Sequence, residues 1–190
     1  MFKYASKITL GITGTTFAAG VGYGWYLYQH RGHASEAHVI GSNAVAQHLL
    51  LVAIAVAVVA ISLFYHAKAP KKPYIVWRAP FTPEALHRVR LTILGGRQSA
   101  KGTVRAVVVT LLSLIMLYAF FRAGMQIFAS ADPNFVVNAW GGPSRLGASF
   151  YHWLDCAVLF YITAGITALY AVDLPARKKG KAARHKKRAK

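Results

Sequence analysis

The chain has 190 residues, 23 of them Lys or Arg and 5 Asp or Glu, giving a formal charge of +18 in a sequence that is 55% hydrophobic. Its 24 aromatic residues exclude an intrinsically disordered basic protein, which lacks that apolar mass. A soluble DNA-binding domain is disfavoured, because its charges would interleave with a core and not stand apart from long apolar runs. One Cys permits neither an internal disulfide nor a multi-thiolate metal site.

Crossing roughly 30 Å of hydrocarbon at about 1.5 Å per residue takes about 20 apolar residues, and four stretches approach that length. In chain order they are Ile8–Tyr28, Ala44–Tyr65, Val104–Phe128 and Phe150–Val172. The first carries Gly11, Gly14, Gly20, Gly22 and Gly24. Its Gly20-x-x-x-Gly24 pair lets two helix backbones approach, which serves either self-association or contact with a neighbouring span. Lys3 and Lys7 ahead of this stretch, with small residues at Ala18–Gly20, also fit a cleaved signal peptide. The aromatic run Tyr23, Trp25, Tyr26 and Tyr28 argues for a retained helix ending in an interfacial belt. The second stretch has no charge, Gly or Pro from Leu49 to Leu63 and offers Ala53, Ala57 and Ala60 as a small-residue stripe. Ala157, Ala164, Ala168 and Ala171 do the same on the fourth. The expected architecture is all-α: an integral membrane four-helix bundle over residues 1–172, with a disordered basic tail at 173–190.

Charge then sets the topology. Twenty of the 23 basic residues precede the first span, lie between Lys68 and Arg105, or follow the fourth span from Arg177 to Lys190. By the positive-inside rule both termini and the loop at 66–103 are cytoplasmic, and the loops Gln29–Asn43 and Ala129–Ser149 face out, in a multi-pass plasma-membrane protein. Within the cytoplasmic loop, Thr82-Pro83-Glu84 supplies an N-cap, a first-turn proline and a first-turn acid, predicting a helix from Pro83 to Leu94 that ends at Gly95-Gly96. Its Leu86, Val89 and Ile93 share a face, with His87, Arg88, Arg90 and the following Arg97 basic. Two readings are open: a helix lying on an anionic inner leaflet, or one packed beneath the bundle. The tail and this loop suit anionic lipid headgroups. Nucleic acid is the weaker partner, because the tail has no aromatic side chain to stack on bases.

Charges inside a bilayer are costly, which singles out Arg122 and Asp155. Counted along antiparallel third and fourth spans, both lie roughly 8 to 9 Å beneath the outer edge. They can form an ion pair that fixes register, or anchor a ligand. His48 and His152 lie at similar depth, as bis-imidazole ligation of haem b between two helices requires. His30, His33 and His38 in the first outer loop can hold a borderline divalent metal. The last outer loop contains Phe135 and Trp140 and is expected to cap a pocket above the Arg122 and Asp155 level. Cys156 adjoins Asp155 with no base at a diagnostic spacing, and the chain has no phosphate loop or nucleophile elbow, so no catalytic residue is assigned.

The stretch Leu117-Tyr-Ala-Phe-Phe-Arg-Ala-Gly-Met-Gln-Ile-Phe128, followed by Ala139-Trp-Gly-Gly-Pro-Ser-Arg-Leu-Gly147, resembles the DoxX-like family of small four-helix membrane proteins. In that family the unit opens the bundle; here it falls at spans three and four. The resemblance implies an accessory subunit of a quinone-linked redox system, with Arg122 and Trp140 as matching positions. Taken together, the residues point to a small accessory or assembly subunit of a larger membrane complex, joined to other membrane subunits or to itself through Gly20 and Gly24. The rivals are a redox protein using haem or quinone, and a small permease with Ser113 and several threonines along its path. The topology is directly testable. In a Cys156→Ser background, Ser35→Cys should react with a membrane-impermeant thiol reagent on intact cells, and Gln98→Cys only after permeabilisation; the reverse pattern refutes the orientation.

Overall fold

The computed structural model describes residues 5–32, 45–68, 76–96, 99–137 and 144–174. Within these the chain forms α1 (Lys7–Gln29), α2 (Val45–Lys68), a 3-10 turn (Val76–Phe81), α3 (Pro83–Gly95), α4 (Ala100–Ala129), α5 (Pro133–Val137) and α6 (Arg145–Tyr170). No strand occurs among the described residues. Residues 175–190, the body of the expected tail, lie outside them.

Four helices begin on hydroxyl caps. The side chains of Ser6, Thr82, Ser99 and Ser144 accept from the backbone N–H of Thr9, Ala85, Gly102 and Gly147 at 3.1 to 3.2 Å. Each removes one of the donors that a helix start leaves without a partner. The expected Pro83 helix is present and runs one residue longer, whereas α5 falls in a stretch read as loop.

α4 is the hub, with α1 against one side and α6 against another. The α1–α4 contact is a backbone contact: a Cβ added at Gly20 would meet the Phe121 carbonyl, one at Gly24 the Met125 carbonyl, and one at Gly124 the Phe17 carbonyl. Glycine is required on both helices for that approach. Tyr23 then lies 5.7 Å from Phe121 and Trp25 5.0 Å from Phe128, ring centre to ring centre, so the two helices run in the same direction. α6 runs the opposite way. Phe120 and Phe160 stand 5.1 Å apart, with Phe81 of the 3-10 turn 6.2 and 5.3 Å from them, and Trp153 Nε1 donates to the Ala123 carbonyl at 3.1 Å. The seam residues on α6, namely Ala148, Cys156, Phe160, Thr163, Ala164, Thr167 and Ala171, are buried at helical spacing. Ala157 and Ala168 of the expected small-residue stripe are exposed, as are Ala53, Ala57 and Ala60 on α2, which touches α6 only lightly.

α3 packs beneath these helices. Arg88 reaches the end of α6, with Nε donating to the Val172 carbonyl and Nη2 lying 3.0 Å from the carbonyls of Ala168 and Ala171 and from the Asp173 carboxylate. The Ala168 carbonyl is one that the last turn of α6 leaves without an intrahelical donor, those of Ala171 and Val172 follow the helix, and the guanidinium also meets the negative end of the α6 dipole. Thr92, 1% exposed, accepts from Val172 N–H at 2.9 Å. Ser6 N–H donates to the Phe81 carbonyl at 2.7 Å, tying the start of α1 to the same end. His87 and Arg90 stay exposed while Leu86, Val89 and Ile93 turn partly inward.

Of the four expected spans, α4 and α6 are long and apolar enough to cross a membrane. The expected four-helix bundle is therefore seen in part: a firm α1–α4–α6 row, with α2 at its margin. The contact at Gly20 makes a sharp prediction. Gly20→Val should force α1 from α4 and lower the thermal midpoint in detergent by several degrees, whereas Gly22→Val, whose Cβ meets nothing within 4 Å, should leave it unchanged. Equal shifts would place the α1–α4 contact elsewhere.

Candidate functional site

α4 places Arg122 and Gln126 one turn apart, and α6 places His152, Asp155 and Cys156 at i, i+3 and i+4. The Trp153–Ala123 hydrogen bond sets the register that brings these faces together. Arg122 Nη2 lies 3.4 Å from His152 Nδ1. Because arginine only donates, Nδ1 is the acceptor, and the neutral imidazole carries its proton on Nε2. Phe135 of α5 rests on His152, its ring centre 5.1 Å away at 36°. α5 itself starts from Asp132, whose carboxylate accepts from Asn134 N–H at 3.0 Å. Phe135 thus lies against His152 at the α5 end of the seam, and Trp140 lies outside the described residues.

Arg122 and Asp155 both lie within electrostatic range of the buried Cys156 thiol. At the other end of α6 a salt bridge joins Arg88 to Asp173 at 3.0 Å. Across the seam the His152 side chain meets Arg122.

Of the histidines expected as ligands, His30 and His152 have described side chains. His48 begins the second turn of α2, and its side chain is outside the described residues. His152 Nδ1 faces Arg122 in this arrangement. His30 Nδ1 lies 2.8 Å from the Tyr26 carbonyl, with its ring 4.2 Å from the Tyr26 ring. His33 and His38 lie outside the described residues. Among the described residues no three His, Cys, Asp or Glu side chains converge as a metal site.

Gln126 is the site residue that the sequence reading passed over. It is 1% exposed, and its Oε1 is buried without a hydrogen-bond partner, as is Arg122 Nε. The available signal was that Gln126 is the only amide side chain between Val104 and Phe128. In an apolar stretch, such a group is either satisfied inside the protein or held for a ligand.

In comparisons with known proteins, no family model, no curated protein and no solved structure matches the chain. The Arg122–His152 contact can be tested by a double-mutant cycle. The cost of Arg122→Met should be about 1 kcal/mol smaller in a His152→Phe background than in the native chain, measured by unfolding in detergent. Additive losses would refute the coupling.

Proposed function

We propose that the protein is a multi-pass plasma-membrane protein, with both termini cytoplasmic, that acts as a small accessory or assembly subunit of a larger membrane complex. One observation carries the membrane part: the helices bury small and hydroxyl-bearing residues and turn large apolar ones outward. Ala119, Ala148, Cys156, Thr163 and Thr167 are inside, whereas Leu146 is 84% exposed, Leu169 82% and Val104 64%. Water penalises such a surface; lipid does not, and helices in lipid associate through small residues that permit close packing. α1 and α4 run in the same direction and α6 in the opposite one, which suits the orientations that the positive-inside rule gives the first, third and fourth spans.

The hydroxyls support the same reading. Thr13, Thr16, Thr110, Ser113, Thr163 and Thr167 each donate to the carbonyl four residues earlier, at 2.6 to 2.9 Å. Their polarity is satisfied within their own helices, as spans without solvating water require. The same bonds weaken the permease reading, because Ser113 and these threonines were its candidates for a polar path. The exposed basic side of α3 suits anionic headgroups at the cytoplasmic surface.

The subunit part rests on the unshared faces. α1 commits Gly20 and Gly24 to α4, so assembly uses other surfaces, among them the opposite side of α1 and the exposed face of α2. The likeness to DoxX-like proteins favours a redox-linked host complex. The test is size and company: a tagged copy expressed at native level and extracted in mild detergent should elute in a discrete assembly larger than its own micelle, with the same membrane proteins in replicate preparations. A protein that always elutes alone refutes the subunit reading, whatever its topology.

A further inference from the structure

We infer that Arg122 and Gln126 hold the carboxyl group of an acid at the α5 end of the α4–α6 seam. The inference is independent of the subunit reading, because the site belongs to the seam whether or not other proteins surround it.

The guanidinium carries five N–H donors and a permanent charge. One of its nitrogens, Nη2, faces His152 Nδ1 at 3.4 Å, which orients the group. Nε is buried and has no partner. One helical turn away, Gln126 is 1% exposed and its Oε1 is also without a partner. A buried polar atom left unpaired is costly, and here a charged donor and a neutral acceptor are left so on adjacent turns of one helix face. A carboxyl group answers both. As the neutral acid, it accepts from Arg122 Nε–H and donates its own proton to Gln126 Oε1. As the anion, it takes the edge of the guanidinium, the geometry for which arginine is best suited, and rotation of the Gln126 amide by 180° offers a second N–H at the place where Oε1 now stands. A metal cation is excluded at this spot by the charge of Arg122. A lone water satisfies the two atoms but brings no negative charge to the guanidinium. The nearest alternative source of negative charge is Asp155 on the facing helix.

Two sources of the carboxyl group share this chemistry: a small water-soluble acid and the head of a fatty acid reaching the seam from the lipid. Full-length protein in a neutral detergent, followed by Trp fluorescence during heating, distinguishes them with sodium acetate and with laurate as probes, against sodium chloride at equal ionic strength. The expected result is a saturable rise in the thermal midpoint with acetate, with laurate, or with both, and none with chloride. Acetate activity identifies a small acid, and laurate activity alone identifies a lipid-borne one. Arg122→Gln and Gln126→Leu should each weaken the response at least tenfold. Gln126→Leu should also raise the midpoint of acid-free protein, because it removes an unpaired buried amide while keeping the volume; that readout shows that the variant folds. The inference is overturned if neither probe gives a saturable shift, or if the variants respond like the native protein. It is also overturned if Gln126→Leu destabilises the acid-free protein, as expected for a site filled by water. A response that appears only in Asp155→Asn would overturn it too, by showing that Asp155 fills the site from within.

Discussion

The close approach of α1 and α4 governs the rest of this molecule. Gly20 and Gly24 on one helix and Gly124 on the other remove the side chains that would hold the backbones apart, so carbonyls of each helix lie where a Cβ would otherwise stand. Dispersion between closely packed backbones acts in lipid as well as in water, unlike apolar burial. With α1 fixed on one side of α4, the face carrying Ala119, Arg122 and Gln126 is left for α6. The aromatic trio of Phe81, Phe120 and Phe160 then fills the space where the 3-10 turn, α4 and α6 meet.

A second constraint is the supply of hydrogen-bond partners. Side chains here meet the orphan groups at helix ends. At the starts, four Ser or Thr caps do so. At the end of α6, Arg88 gathers three carbonyls and Asp173, and Thr92 takes the Val172 N–H. This arrangement explains why an amphipathic basic helix packs under the other helices: its central arginine is the cap of another element. The residues that make α3 look like a membrane-surface helix thus divide into an inward arginine and outward His87 and Arg90.

Against this background of satisfied groups, the α5 end of the α4–α6 seam stands apart. Thr9 Oγ1 in α1 is also buried and unpaired, but among the described residues only here do two such atoms, Arg122 Nε and Gln126 Oε1, fall one turn apart on one helix. Such exceptions concentrate where a protein holds polarity in readiness for something else. The acid-binding role and the assembly role are compatible, since a site inside the seam leaves the outer faces of α1 and α2 available to neighbours.

The sequence by itself determined the helical class and the approximate place of the long helices. The first and fourth expected spans, Ile8–Tyr28 and Phe150–Val172, overlap the helices Lys7–Gln29 and Arg145–Tyr170, and Thr82 was legible as a cap because hydroxyl, proline and acid fall in the order that a helix start favours. It also singled out Arg122 and Phe135, since charge and exposed aromatics are conspicuous among apolar residues. It did not identify their neighbours. Several glycines of α1 are equally small, and only the fold selects Gly20 and Gly24 for contact while leaving Gly11, Gly14 and Gly22 open. Depth along a helix suggested Asp155 as a partner of Arg122; only rotation about the helix axis shows that His152 meets it too. Hydropathy and charge are properties of a stretch of chain, readable one residue at a time. Which faces meet depends on register and rotation between helices, and these are fixed by contacts among residues a hundred positions apart.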